Sequence, residues 1–279
     1  MSHFVVAVMT KDIPTESVID EVLEPYYEGL EMERHVTMTK DDIIQYQRNH
    51  IESYKKGAYA SYLENPEAYK EKYEHNQAHL HYMEETFPKM MKETDEELYL
   101  RYTENIPKLS EIEEDSGEEA IDEDGNLTST YNSKSKWDWY VIGGRWQGEL
   151  PLKSGNDANS AKVSNIQWGN DIDPDKYIEE HPEVKEKYEK LITEGDGWYK
   201  VSYLQELYPT IQDYIITITR WVPFAFIDVN GEWQEKGQMG WFGCSSDTAE
   251  DSRNWTRTFY DRFIKGNEDC YITIVDCHI

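Results

Sequence analysis

Cysteine is scarce in this chain. Only Cys244, Cys270 and Cys277 occur among 279 residues, and no two form a CxxC pair. An odd, small count excludes a disulfide framework and a cysteine-rich zinc module. The thiols read as small apolar residues of a reducing compartment. Bases are few as well: 28 Lys and Arg against 56 Asp and Glu leave a formal net charge of −28. Sequence-independent DNA binding draws its affinity from cations that neutralise phosphates, so no direct contact with nucleic acid is expected. An anionic membrane surface is disfavoured for the same reason. No apolar run has the length of a membrane span or a secretory signal, so no membrane association is expected. GxSxG, Walker, GxGxxG and HExxH motifs are all missing, which removes the usual hydrolase, nucleotide-loop and metalloprotease signatures.

Aromatic residues are abundant, with 21 tyrosines and 9 tryptophans. A chain of low hydrophobicity and high charge tends to disorder, but disordered chains are poor in aromatics, so a folded protein with an aromatic core and an acidic surface is expected. Such a surface attracts basic partners, including the nucleic-acid grooves of other proteins.

The run HFVVAVMT (3–10) reads as a strand, and PTESVIDEVLEPYYEGLE (14–31) as a helix with Thr15 at its N-cap. TKDDIIQYQRNHIESYKKG (39–57) has a capping threonine, early acids, late lysines and a closing glycine, together a strong helix signature. NPEAYKEKYEHNQAHLHYMEETF and TDEELYLRYTEN extend a tyrosine-rich helical insertion. EIEEDSGEEAIDEDGN (111–126) is an acid run of the kind that serves as an interaction loop. The segment 175–195 reads as one or two short helices divided at His181-Pro182. The last third reads as β from DYIITIT (213–219) onward, with a hairpin turn at Asn230-Gly231. A helix then follows, for which Ser246 and Glu250 are capping candidates, and a closing strand at CYITIVDCHI.

This order predicts an α+β fold: an antiparallel or mixed sheet with helices on one face and a helical insertion. Residues 1–38 and 131–279 form the core domain, 39–110 the helical insertion, and 111–130 an acidic loop. The two terminal strands are placed to lie side by side.

The densest motif is SKWDWYVIGGRWQGEL (135–150). Its alternation has strand period. Gly143-Gly144 suits a primed turn, where φ > 0 is needed, with Arg145 and Trp146 opening the return strand of a hairpin. The same residues form a candidate ligand site. Trp137, Trp139 and Tyr140 offer stacking faces, Gly143 and Gly144 expose backbone amides, and Arg145 can grip a phosphate or carboxylate. A nucleotide-like ligand would suit them. The plainer alternative is an aromatic core hairpin with Arg145 stacked on a ring or paired with Asp138.

Four signatures, MSHFVVAV, NSKSKWDWYVIGGRW, GEWQEKGQMGWFG and the closing VDCHI, resemble in the same order an uncharacterised family encoded by tailed bacteriophages and prophages. The resemblance spans about a third of the chain and leaves out the helical insertion and the acid run. It implies an origin, a phage protein acting in the cytoplasm of an infected bacterial host, and carries no activity with it.

Other constellations are sparser. His3, Asp276 and His278 would meet if the terminal strands are neighbours, and are candidate ligands of a His-Asp-His metal site. His75, His79 and His81 read as an exposed helical face. Asp171, Asp173 and Asp175 begin like a calcium loop, but Lys176 and Pro182 stand where glycine and glutamate are required. No cofactor is implied. The leading expectation is a non-enzymatic inhibitor of a bacterial anti-phage defence protein or nuclease complex, covering a basic surface. Its contacts would be Glu111, Glu113, Glu114, Asp115, Glu118, Glu119, Asp122 and Asp124. The alternatives are a sponge for a nucleotide immune signal at the Trp/Gly/Arg hairpin, and a metal-dependent enzyme acting on nucleic acid or nucleotides. An aromatic surface hairpin would also suit a homo-oligomer.

Overall fold

A computed structural model describes residues 2–113 and 117–279. The chain divides into two compact units, Met1–Leu30 with Lys134–Ile279, and Glu31–Ser133. The class is α+β, with mixed and antiparallel sheets and many helices.

In the first unit the β-branched run at the N-terminus is strand His3–Thr10. The C-terminal strand Tyr271–His278 pairs with it antiparallel along its whole length, from His3 opposite His278 to Thr10 opposite Tyr271. On its other side runs Ala225–Ile227, parallel to it, followed by Trp233–Glu235. Across the C-terminal strand lie Trp139–Ile142 at one end and Ser160–Lys162 at the other, both antiparallel. The two terminal strands are therefore central, and both their faces are buried, which explains their largely apolar sequence.

Alternate side chains go to opposite faces. Ala7, Met9, Ile272, Ile274 and Phe226 pack with Trp255 and Phe259 of helix Ala249–Phe259. Phe4, Val6, Val8, Val275 and Cys277 pack with Ile19 and Leu23 of helix Glu16–Leu23. Helices thus cover both faces of the sheet, whereas the sequence reading places them on one.

Local signals account for most elements. Helix Ala249–Phe259 starts from a capping box, but its members are Thr248 and Asp251 rather than Ser246 and Glu250: Asp251 N donates to Thr248 Oγ1 at 3.1 Å and Thr248 N to Asp251 Oδ2 at 2.9 Å. The Asn230-Gly231 turn joins Ala225–Ile227 to Trp233–Glu235, with Gly231 at φ +80°. Asp228 Oδ1 takes the amides of Asn230 and Glu232 at 2.8 and 3.0 Å.

One segment departs from the sequence reading. Ile211–Thr219 is a helix and not a strand. Its β-branched residues disfavour a helix by only a few tenths of a kcal/mol each. Against them stand the Thr210 cap, accepting from Asp213 N at 3.2 Å, and a buried Asp213 carboxylate that accepts from Arg257.

The second unit is built from helices and a small sheet. Helix Lys40–Lys56 opens with a Thr39–Asp42 capping box and helix Asp95–Thr103 with a Thr94–Glu97 one. Phe87, Met83 and Leu98 are fully buried among tyrosines. Strand His35–Met38 pairs with Leu127–Ser129, which pairs in turn with Ala120–Ile121. That pairing differs from the domain boundaries expected above. The strand at 35–38 joins the helical insertion, and the acidic segment supplies two strands of its sheet instead of forming a separate loop. Among the described residues no helix is long and apolar enough to cross a membrane.

Candidate functional site

Strand register brings the candidate residues together. His3 stands opposite His278, and Val5 opposite Asp276, in the terminal pair. Trp139 stands opposite His278 in the next pair. Period-2 alternation then puts His3, His278, Asp276 and Trp139 on one face at one end of the sheet.

Each histidine carries a carboxylate on Nδ1. His3 Nδ1 lies 2.9 Å from Asp276 Oδ1, and His278 Nδ1 lies 2.6 Å from Asp138 Oδ1. The two imidazoles meet edge to face with centroids 5.0 Å apart. The Trp139 indole stacks on His278 at 4.9 Å and 18°, and meets His3 edge-on at 5.2 Å. The Asp276 and His278 side chains are 4% exposed and His3 12%. Asp138 keeps 38% of its side chain in solvent.

A carboxylate at Nδ1 fixes the ring's protonation pattern. Nδ1 carries the hydrogen, so in the neutral imidazole Nε2 holds the lone pair. His278 Nε2 is buried and has no hydrogen-bond partner. Such a group costs about 1–3 kcal/mol when left unsatisfied, so His278 Nε2 is the atom of this cluster with an unmet demand for a hydrogen-bond donor.

The glycines make this geometry accessible. Strand Trp139–Ile142 ends at Gly143, φ +75°, and the chain enters a single tight turn, Gly144–Trp146. A β-carbon on Gly144 would lie 2.3 Å from Cβ of Asp276. The turn instead offers Arg145 N to Asp276 Oδ2 at 3.0 Å. The Asp276 carboxylate is therefore held by His3 on one oxygen and by the chain on the other. No return strand follows, so the expected hairpin is not formed. The amide that would have entered a ladder is used to fix Asp276.

The six residues proposed as a ligand site divide between the two faces of the sheet. Trp139, Gly144 and Arg145 border the histidines. Trp137 lies before the strand and is buried on the opposite face, its Nε1 donating to Leu23 O at 3.1 Å. Tyr140 is on that opposite face too, where its hydroxyl donates to Asp20. Burial first, and the Asp20 carboxylate second, push its phenol well above the ordinary range. Gly143 lies against Asn159, whose Oδ1 accepts from Gly148 N at 2.7 Å. Arg145 is exposed and does not pair with Asp138, which is occupied by His278.

The metal reading correctly anticipates that His3, Asp276 and His278 meet. The role it gives Asp276 does not fit, because both carboxylate oxygens are engaged in orienting neighbours. Among the described residues no group of three or more His, Cys, Asp or Glu is arranged to hold a metal ion. Sequence reasoning left Asp138 out of the site. Its signal was a lone carboxylate between two tryptophans just ahead of an apolar strand, and only strand pairing reveals what it faces.

Of the acidic candidates, Glu111, Glu113, Glu118, Glu119 and Asp124 are exposed, and Asp122 is half-buried. Asp122 shapes a turn: its Oδ1 accepts from the amides of Asp124 and Asn126 at 2.9 and 2.8 Å. Burial alone would raise its carboxyl, but these bonds hold it below the usual range. Glu114 and Asp115 lie outside the described residues. No protein-family model, curated protein or solved structure matches the chain.

Proposed function

We propose that the chain is an acid–base catalyst acting through His3 and His278. The observation that carries this is the bare, buried Nε2 of His278 beside a second imidazole, each ring oriented by its own carboxylate. In the working state one histidine is neutral and takes a proton at Nε2, while the other is protonated and delivers one. Asp138 and Asp276 hold the rings in place. Rings 5.0 Å apart suit a reaction in which a nucleophile loses its proton as the leaving group gains one, as in cleavage of a polar bond by water. A carboxylate on Nδ1 is also how proteins orient metal-binding histidines, but that use requires a further ligand.

The test is a panel of chromogenic phosphodiester, phosphomonoester, carboxylic ester and N-glycoside substrates. We expect cleavage in one class, lowered about 100-fold or more by His278→Ala or by His3→Ala, the usual scale of general acid–base catalysis, with circular dichroism unchanged. A wild-type rate no higher than that of the double variant in every class would sink the proposal.

Charge supports a second reading, a phage-encoded binder that covers a basic surface on a bacterial defence protein in the infected host's cytoplasm. Residues 31–133 hold 25 Asp and Glu against 11 Lys and Arg, and Glu111, Glu113, Glu119 and Asp124 stand exposed among them. Such a complex dissociates as salt rises. Replacing those four acids with lysine should abolish capture of the partner while leaving the fold intact; undiminished capture would contradict it.

A further inference from the structure

Beyond the histidines, the same sheet face carries a cavity of about 370 Å³ walled by tyrosines. We propose that it receives a flat, uncharged heteroaromatic ring, of the nucleobase type, on the substrate of the His3–His278 site; this rests on the acid–base reading.

Position is the first argument. Val5 forms part of the cavity wall. It follows His3 by two residues on the same strand face and stands opposite Asp276 in register, so the cavity begins roughly 7 Å along the strand from His3.

The chemistry of the walls is the second argument. Tyr203, Tyr208, Phe224 and Trp255 line the cavity, and Tyr199 stacks on Tyr203 at 5.0 Å and 20°. Aromatic faces stack on any flat ring, and the volume lies at the small end of the range for ligand cavities. Tyr208 is pushed up to about 12 by burial first and neighbouring phenols second, so it remains a neutral hydroxyl able to donate to a ring nitrogen or carbonyl.

Charge selects among flat ligands. Lys236 Nζ lies 5.3 Å from the Phe224 centroid and 3.2 Å from Asp247 Oδ2. The Asp247 carboxylate is already matched by this ammonium, so the wall has no uncompensated anion to hold a cationic ligand, the common guest of aromatic cages. A polyanion would have to approach a chain of net charge −28. A neutral ring bearing acceptors meets neither obstacle.

The experiment is calorimetric titration of the full chain with adenosine and uridine, with choline as the cationic control. At least one nucleoside should bind at millimolar concentration or tighter. Tyr208→Ala should weaken it about tenfold or more, the scale of one lost stacking wall, and His278→Ala should leave the affinity unchanged. If Tyr208→Ala fails to fold, intermolecular nuclear Overhauser effects between base protons and tyrosine ring protons of the wild type give the same answer. Binding of choline alone, no nucleoside binding, or nucleoside binding insensitive to Tyr208 and without ring contacts overturns the subsite. Nucleoside binding with full activity in His278→Ala would instead overturn the acid–base reading and leave the subsite standing.

Discussion

Gly144 illustrates how one residue can hold a site open. Its φ of +50° is left-handed, and the space where a side chain would begin is filled by Asp276. Gly155 shares the left-handed backbone, φ +76°, but has nothing within 4 Å of its missing β-carbon. The pair separates conformational cost from collision. Gly155→Ala should cost about 1 kcal/mol, the penalty of a left-handed L-residue. Gly144→Ala should cost more, about 2–4 kcal/mol with the displaced carboxylate included, and should lose activity with it. Equal shifts in chemical denaturation midpoint would mean that the contact with Asp276 is unimportant. A second residue sets the acid limb of stability. Burial tends to raise the Asp247 carboxyl, but hydrogen bonds from Ser245 and Ser252 and the Lys236 ammonium outweigh it and hold it below the usual range. A carboxyl depressed in the folded state contributes fully above the unfolded value, about 3.9, and that contribution is lost as pH falls through the folded one. Asp247→Asn should therefore flatten the fall in stability below about pH 4; an unchanged slope in urea titrations would refute it.

At the scale of elements, legibility followed the range of the forces involved. Helix Lys40–Lys56 was readable because Thr39, its acids, its lysines and Gly57 lie within one short stretch. The turn at Asn230-Gly231 was readable for the same reason. Ile211–Thr219 was misread because its helix depends on Arg257, distant in sequence, as well as on its own cap. The site was half legible: the meeting of His3, Asp276 and His278 follows once the terminal strands are paired, whereas the role of Asp138 depends on a third strand whose register no local pattern states. Local capping also gives a test. Thr248→Ala removes the acceptor for Asp251 N and should destabilise the first unit by about 1 kcal/mol. Thr258→Ala, at an exposed position near the end of the same helix, should stay within about 0.5 kcal/mol. A similar loss at both positions in thermal melts would show that the box is not what anchors this helix.

The whole molecule carries its charge as a destabilising field. With a net charge of −28, like charges repel across a compact surface, and salt relieves that repulsion by shortening the screening length. Raising sodium chloride from about 20 mM to about 500 mM should therefore raise Tm. A fall would mean that ion pairs such as Lys40–Glu96 and Arg48–Asp95 outweigh the repulsion.

The pairing of the terminal strands also sets when the site comes into being during translation. His3 is made early, yet its partner Asp276 lies 273 residues later, and His278 reaches back 140 residues to Asp138. At synthesis rates of about 5–20 residues per second, His3 waits roughly 14 to 55 s for the carboxylate that orients it. Residues 31–133 are contiguous and hold a core of their own, so they need none of that delay. A chain cut short before residue 276 thus keeps the core of residues 31–133 but lacks the carboxylate that orients His3, so the two histidines are set in place only after nearly 280 residues have been joined.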